Sequence, residues 1–551
     1  MKLKNKANSK FIVLFLFSVY FLIGIFTFKD YGISIDEQFQ RSSGLYWLSY
    51  ILKLLHLDKL SAVALLKFEN IQGFTLVTAD QIPTYGIIFD VPSALIEIIF
   101  SIDEPKNYFY LRHLMNFLFF FISSIYFYRL LVNRFENINL CILGTIFYIL
   151  SPRIYGASFY NNKDIIFLSV VSITIYFLFK YFDEKNLKNL ILFSIFSAIC
   201  TSTRMIGIFF PISFLLIIFL SNLNNKKEFE IIKIFILYIT LYLFFLFIHW
   251  PYLWTAPLEN LFSIFYSSSK LLIEYTIFFN GEYIKSNFLP FWYIPTWISI
   301  STPPLYLLLF IFGYFYILKR FFLRFINLKE NSNYPDFWRG TDEIKDFLIF
   351  FNLTIIFLYL ILFNITLYNG WRHIYFFNAF IIYIATYGLY IFFSKFKTQK
   401  SVNRINFFVI IFLSITTFKM IIHHPFQNIY FSSLLTQNFK KKFEVDYMAL
   451  SGANFLNRIL ILEKDKKLIN IGVASYSPIE RSLVLLDEKD AKKINIVGQE
   501  YKKAEYIYTN NISEVNKNYD DKYTIPINFK KIDELVVDGT KVFEIYKNLN
   551  K

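Results

Sequence analysis

From Ile234 to Ile248 the chain runs without a charged side chain, and runs of this kind recur along most of its length. A segment so apolar has no soluble surface to offer. In hydrocarbon its backbone polar groups must pair with one another, which leaves the helix as the way across. Composition agrees: 56% of the 551 residues are hydrophobic, only 18% are charged, and mean hydropathy is +0.44. A soluble domain carries about 25% charged residues. A soluble enzyme, a disordered chain and a fibrous repeat are therefore excluded. The fold class expected is an all-α polytopic membrane protein of about eleven transmembrane helices with a small C-terminal α/β domain. The runs fall near 11–28, 109–130, 137–151, 165–182, 189–203, 205–221, 231–249, 297–318, 347–367, 374–394 and 405–422. The pair over 189–221 also reads as one kinked helix. Phe26-Thr27-Phe28-Lys29-Asp30 after the first run lacks a small-x-small cleavage site, so that run reads as a retained span.

Charge orients the spans. With the N-terminus in the cytoplasm, the inside segments collect clusters such as Lys2, Lys4 and Lys6, and Lys319, Arg320 and Arg324. The short loops on the other side hold only Arg153, Lys163, Arg204, Lys270, Lys285 and Arg372. This bias predicts a multi-pass plasma (inner) membrane protein with a cytoplasmic N-terminus and an extracytoplasmic C-terminal domain. It also accounts for the net charge of +15 without nucleic acid, for which no recognition chemistry is present. Cys141 and Cys200 lie in apolar runs and predict neither a disulfide nor a Cys metal site.

The expected organisation is a transmembrane domain over 1–425 and a soluble α/β domain over 440–551. Two outer loops are long, 29–108 and 250–296. In the first, Leu45, Leu48, Ile51, Leu52 and Leu55 recur at helical spacing and predict an amphipathic helix lying at the interface. In the second, Trp250, Tyr252, Trp254, Trp292 and Tyr293 suit the headgroup belt. Beyond residue 440, Ala449–Glu463 predicts a helix, and Leu468–Val473, Ile494–Val497, Ala504–Tyr508 and Val542–Tyr546 predict strands. No internal repeat is visible.

Polar residues at membrane depth are costly, so each is a candidate for function. Asp36-Glu37 follows the first span; a carboxylate pair there suits a general base or a cation ligand, or simply a solvated helix cap. Asn161-Asn162-Lys163-Asp164 opens the fourth span, where an Asp most often only caps its helix. Thr201-Ser202-Thr203-Arg204 interrupts a long apolar stretch, and Tyr368-Asn369-Gly370-Trp371-Arg372-His373 forms a turn between spans nine and ten. Each Arg is either an anion ligand or an interfacial anchor. His249 ends span seven; Arg112 and His113 lie near the outer end of span two. His423 and His424 are adjacent and so diverge on a helix, which argues against a metal site. Taken together, carboxylates, Arg, His and Asn gather at the outer ends of several spans. That describes an outward-opening cavity holding a base and cations.

With these residues the chain resembles the GT-C superfamily of membrane glycosyltransferases. The order of segments is similar to the family 39 type, that of protein mannosyltransferases and aminoarabinose transferases. The stretches carrying the resemblance are Tyr110-Leu111-Arg112-His113-Leu114-Met115-Asn116, Asn161-Asn162-Lys163-Asp164, Thr201-Ser202-Thr203-Arg204, Asn369-Gly370-Trp371-Arg372-His373-Ile374-Tyr375-Phe376 and His424-Pro425-Phe426-Gln427. The resemblance implies a hexosyl or pentosyl transferase that moves sugar from a polyprenyl-phosphate donor to a glycan, lipid or protein hydroxyl at the outer face. It places Asp36 at the family's first-loop catalytic Asp and Asp164 at a second acidic position, with Glu37 beside them. Arg204, Arg372, His373 and Lys163 are then the phosphate and donor candidates by charge and side, and Arg112, His113, Asn161, Asn162, His249 and Tyr368 are further cavity candidates. The resemblance names no certain cofactor, since some relatives use a divalent cation and others do not, and carboxylates alone do not decide it. If a divalent cation is used, Asp36, Glu37 and Asp164 would hold it. Membrane lipids are the surroundings, and nucleic acid is not a partner. The competing readings are a transporter or flippase of lipid-linked sugars, which would show broken helices at the midplane and internal symmetry, and a non-catalytic envelope assembly protein.

Overall fold

The computed structural model describes residues 2–69, 85–221, 228–269, 275–326, 337–396, 398–513 and 521–550; residues 70–84 of the first long loop thus lie outside the described residues. Each of the eleven apolar runs is helical, but they are not eleven long spans. Among the described residues, eight helices are long and apolar enough to cross a membrane, or nine if a bent pair counts as one span. The eight are Lys2–Thr27, Pro105–Arg134, Asp164–Glu184, Glu228–His249, Pro304–Ile326, Thr341–Leu362, Phe377–Lys395 and Gln399–Ile422.

Each shortfall has a local cause. Ile138–Ile149 breaks at Ser151 and continues as Pro152–Tyr160 at an angle of 60°. Pro152 cannot extend a helix from its N-terminal side, because it lacks the N–H the ladder needs. The Leu150 carbonyl freed by the bend accepts from the Tyr306 hydroxyl at 3.3 Å. The stretch 189–221 is two helices, Leu187–Thr203 and Phe209–Ser221, joined by the 3-10 turn Met205–Ile208. At 13 residues the second is about 20 Å long, short of the hydrocarbon core. The run 297–318 divides at Thr302-Pro303 into Tyr293–Ser301 and Pro304–Ile326.

Asp164–Glu184 is the central helix: 89% of its apolar window is buried inside the protein, against 17% for the first helix and for Phe229–His249, whose sides face outward. Pro304–Ile326 and Phe377–Lys395 cross at backbone contact. A Cβ on Gly313 would lie 2.2 Å from the Ile384 carbonyl oxygen, and one on Gly388 would lie 2.3 Å from that of Leu309. Such crossings rely on small residues because lipid supplies no hydrophobic drive for association.

The helix expected to lie at the interface is Glu37–Leu54. Part of its apolar face is covered within the loop, whereas Leu55 of the same stripe is exposed. Leu45, Leu48 and Leu52 pack with Ala64 of Asp58–Glu69 and with Ala94 and Ile98 of Asp90–Ile99, a small core of the loop's own. A buried Arg41–Glu97 ion pair at 2.6 Å closes it. The second long loop forms the helix Pro257–Ser269 and the hairpin β1 (Thr276–Phe279) and β2 (Glu282–Lys285). Trp250 and Tyr293, expected in a headgroup belt, are buried instead, whereas Trp292 is 48% exposed.

The chain ends in a five-stranded sheet of β3 (Ile469–Val473), β4 (Ile494–Gly498), β5 (Tyr506–Thr509), β6 (Phe529–Val537) and β7 (Thr540–Asn548), in the order β4-β3-β5-β7-β6. β3 runs parallel to β4 and β5, and β7 is antiparallel to β5 and β6. Helix Gly452–Leu462 covers it through Phe455, Leu456 and Ile459. The helix and four strands match expectation. The edge strand β6 was not expected, since Lys530, Lys531, Asp533 and Glu534 leave it no apolar alternation. At the opposite end of the bundle, Arg134 and Arg320 converge on buried Asp346 at 2.7 and 3.0 Å.

Substituting Gly388 by Val drives a branched side chain into the Leu309 carbonyl. We expect a loss of about 1–3 kcal/mol, seen as a lower unfolding temperature in detergent than that of Gly340→Val, where no atom lies within 4 Å although the positive φ is itself strained.

Candidate active site

After the first helix the chain is pinned before it reaches Asp36. Tyr31 stacks on Phe159 with ring centroids 4.3 Å apart. The Ser34 N–H donates to Glu37 Oε1 at 2.6 Å, and the Ile35 N–H donates to the Met448 carbonyl at 3.2 Å. Glu37 is fully buried, with His113 Nε2 at 2.9 Å from its second oxygen. The expected carboxylate pair is therefore divided: Glu37 holds the loop together with His113, and Asp36, one-third exposed, carries the free edge.

Asp36 pairs with Arg372 Nη1, and the same nitrogen lies 3.7 Å from Asp164 Oδ2. Asp164 Oδ1 in turn pairs with Arg204. The carboxylate and guanidinium groups thus alternate as Asp36, Arg372, Asp164 and Arg204, and both arginines reach one carboxylate. Local sequence explains each placement. The Asn161 amide donates to Asp164 Oδ2 and its carbonyl accepts the Asp164 N–H, both at 2.9 Å, so Asp164 is set at the first turn of the central helix. The backbone leaves Leu187–Thr203 in an extended conformation at Arg204. Asn369 and Gly370 have φ of 57° and 69°, the left-handed pair of a tight turn. The turn's Gly370 carbonyl accepts from Tyr293 at 2.8 Å, and Arg372 lies 5.0 Å from the Tyr368 ring.

Burial sets the charges. Asp36 is pushed up by burial, but Arg372, Lys163 and Arg481 together hold its carboxyl below the ordinary range. The Lys163 ammonium sits 3.1 Å from the centroid of Tyr85. Burial, aided by nearby Arg204, brings its pKa down to about 8, against the pull of Tyr85 and Asp36. Arg204 is lowered to about 10 by burial and by Arg372. His373 is driven well below its ordinary value, first by burial and then by Arg372, Arg204 and Lys163. Its ring packs edge-on to Tyr368 with centroids 4.4 Å apart, and the three neighbouring cations disfavour a further positive charge there.

Beside this row, Arg112 pairs with Asp90, whose pKa burial raises to about 6 against the pull of Arg112. Asn162, with its carbonyl turned to Arg112, accepts from Nη2 at 3.0 Å and Nε at 3.2 Å. The structure therefore brings together Asp36, Asp164, Arg204, Arg372, His373, Lys163 and Tyr368, with Asn161, Asn162 and Arg112 adjoining. It does not bring in His249, which bonds back to the Phe245 carbonyl of its own helix at 3.0 Å. His424 contacts Asp30 at 2.9 Å. Among the described residues no three His, Cys, Asp or Glu side chains converge as metal ligands; Arg372 stands between Asp36 and Asp164, and Glu37 faces His113. Sequence reasoning missed Tyr85, Asp90 and Arg481. Asp90 had a signal, a lone carboxylate in Ile87-Ile88-Phe89-Asp90-Val91, but the other two sit in unremarkable polar loops.

Residues 91–254 match the family model of dolichyl-phosphate-mannose-protein mannosyltransferases. No curated protein matches the chain in sequence. Among solved structures, the chain is similar to ArnT from Cupriavidus metallidurans in the apo state (TM-score 0.47, 9% identity) and bound to undecaprenyl phosphate (TM-score 0.45, 8% identity), with 98% of each chain covered in both. The Archaeoglobus fulgidus oligosaccharyltransferase in the apo form gives a TM-score of 0.42 at 11% identity over 78% of this chain, which spans 62% of that protein's length. The matched segment 91–254, less than half of the chain, carries the similarity to that family and supplies Arg112, Asn161 to Asp164 and Arg204 to the cluster.

Proposed function

We propose that this chain transfers a sugar from a polyprenyl-phosphate donor to an acceptor hydroxyl at the outer face of the plasma membrane, with inversion and with Asp36 as general base. The observation that carries the reading is the alternation of Asp36 with Arg372, Asp164 and Arg204, with Lys163 alongside. A lipid phosphate leaves as a stabilised anion, so its departure calls for cations more than for a general acid. In the step, the acceptor oxygen attacks the anomeric carbon while its proton passes to a carboxylate oxygen of Asp36. The bond from that carbon to the phosphate oxygen breaks, and its electron pair leaves with the polyprenyl phosphate. Arg372 links the two halves of the chemistry. While it pairs with Asp36 the carboxylate is a weak base; a phosphate that draws the guanidinium toward itself returns basicity to Asp36. Asp164 keeps Arg204 and Arg372 oriented for that phosphate, and bidentate arginines suit it better than lysines. Glu37 supports the loop through His113.

Asp36→Asn should lower transfer of radiolabelled sugar from polyprenyl phosphate into an envelope fraction by about 10²–10⁴-fold, while binding of undecaprenyl phosphate survives. Full transfer by this variant would move the base elsewhere. Lys163 carries its charge below about 8 and loses it as pH rises. Affinity for undecaprenyl phosphate in the wild type should therefore weaken through that region, and Lys163→Arg should carry the affinity to higher pH. An unchanged profile would remove Lys163 from the phosphate site. The sidedness is checked by a reporter active only in the cytoplasm fused after Lys551, which should remain silent.

A further inference from the structure

The sheet domain reaches the loop that carries Asp36. Its 3-10 turn Ile479–Leu485 packs Val484 and Leu485 against Ile33, Tyr108 and Phe109. Arg481 Nη1 donates to the carbonyl of Ile35, the residue before Asp36. The N–H of the same residue is taken by Met448 at 3.2 Å, so both polar backbone groups of Ile35 are held from beyond residue 440. The fit is close: a Cβ on Gly32 would lie 2.1 Å from the Leu450 carbonyl oxygen. Asp446 holds this segment in turn, accepting from the Leu450 N–H at 2.9 Å and from the Ser451 hydroxyl at 2.6 Å.

We propose that Arg481 is a positioning residue for Asp36: the sheet domain completes the site by fixing the Ile35–Asp36 peptide and placing a further positive charge beside the carboxylate. This rests on the reading of Asp36 as the base. The groups around Asp36 give the charge its meaning. Arg372, Asp164 and Tyr368 face it from the bundle, Lys163, Arg204 and Tyr85 from the adjoining loops, Tyr275 from the segment leading into the hairpin, and Glu37 follows it in the chain. When a donor phosphate engages Arg372, Arg481 is still tied to the loop backbone. It keeps the carboxylate on station and in its charged form without exchanging a proton. Arg481 feels both Asp36 and Glu37, which oppose the lowering that burial imposes on it.

The test uses the full chain in membranes, the rate of sugar transfer from polyprenyl phosphate at saturating donor as a function of pH, and the variants Arg481→Met, Arg481→Lys and Asp36→Asn. Loss of the positive charge in Arg481→Met should move the acidic limb of the profile upward by about half to one pH unit. Arg481→Lys should leave the limb in place and lower the rate roughly tenfold, the size of losing one charge-assisted hydrogen bond from a rigid fork. Undecaprenyl phosphate binding should be unchanged in both. An unmoved limb in Arg481→Met, with transfer still dependent on Asp36, overturns the role of Arg481 and leaves the base assignment standing. Transfer that survives Asp36→Asn overturns the base assignment itself. If Arg481→Met does not fold, Arg481→Lys decides: a retained limb with a reduced rate supports the proposal, and a shifted limb or a wild-type rate overturns it.

Discussion

The pairing of Asp164 with two arginines is the constraint on which the rest of the site depends. Asp164 is almost wholly buried at the start of a helix that is itself the most enclosed of the long ones. A lone carboxylate there would be expensive. Arg204 and Arg372, together with the positive end of the helix, make it tolerable. The converse holds with equal force. Buried ion pairs add little net stability, but removing one partner leaves the others without compensation, which typically costs about 3–5 kcal/mol. The segments carrying Arg204 and Arg372 are therefore held to the central helix by charge as much as by packing. Asp36 joins through Arg372, so its loop inherits the same anchor.

Charge is sorted to the two ends of the bundle. One end carries the row from Asp36 to Arg204. The other carries Asp346 between Arg134 and Arg320, with the Tyr383 hydroxyl donating to it at 2.7 Å and Lys345 held by Asp183 at 2.7 Å. Between them the helices meet through aromatic rings and, at Gly313 and Gly388, through bare backbone. The two clusters differ in kind. In the far one Asp346 is 0% exposed and its bonds are met within the bundle. In the near one Asp36 keeps a third of its surface open, the property expected of a group that meets a partner from outside.

Much of this was legible from residue order. The positions of the helices, most strands of the sheet domain, and the convergence of Asp36, Lys163, Asp164, Arg204 and Arg372 follow from hydropathy and from the rule that ionised groups in membranes seek one another. What could not be read was three-dimensional economy. Whether a run of apolar residues becomes one long helix or a broken one turned on Pro152, on the extended residue Arg204 and on Pro303. The cover that Ala64, Ala94 and Ile98 give to Leu45, Leu48 and Leu52 of Glu37–Leu54 was not legible, because it comes from other helices of the same loop. Glu37 and Asp36 are neighbours with opposite fates because only the structure shows His113 waiting for one of them. β6 was hidden by the charges of an edge strand, and the approach of Arg481 by its distance along the chain.

That distance bears on how the protein is made. Asp36 meets Arg372 across 336 residues and Arg481 meets Ile35 across 446. A ribosome emits the acidic loop first and its basic partners last. Through most of synthesis the loop's carboxylate must stay hydrated, because a bare charge cannot be buried ahead of its counter-ion. The bundle can insert helix by helix, but the contacts at Ile35 close only when the sheet domain has emerged and docked. A chain shortened from its C-terminus would keep its membrane helices and the Arg372 anchor while losing the hold on Ile35. Completion of the Asp36 cluster is in this way tied by geometry to the emergence of the sheet domain.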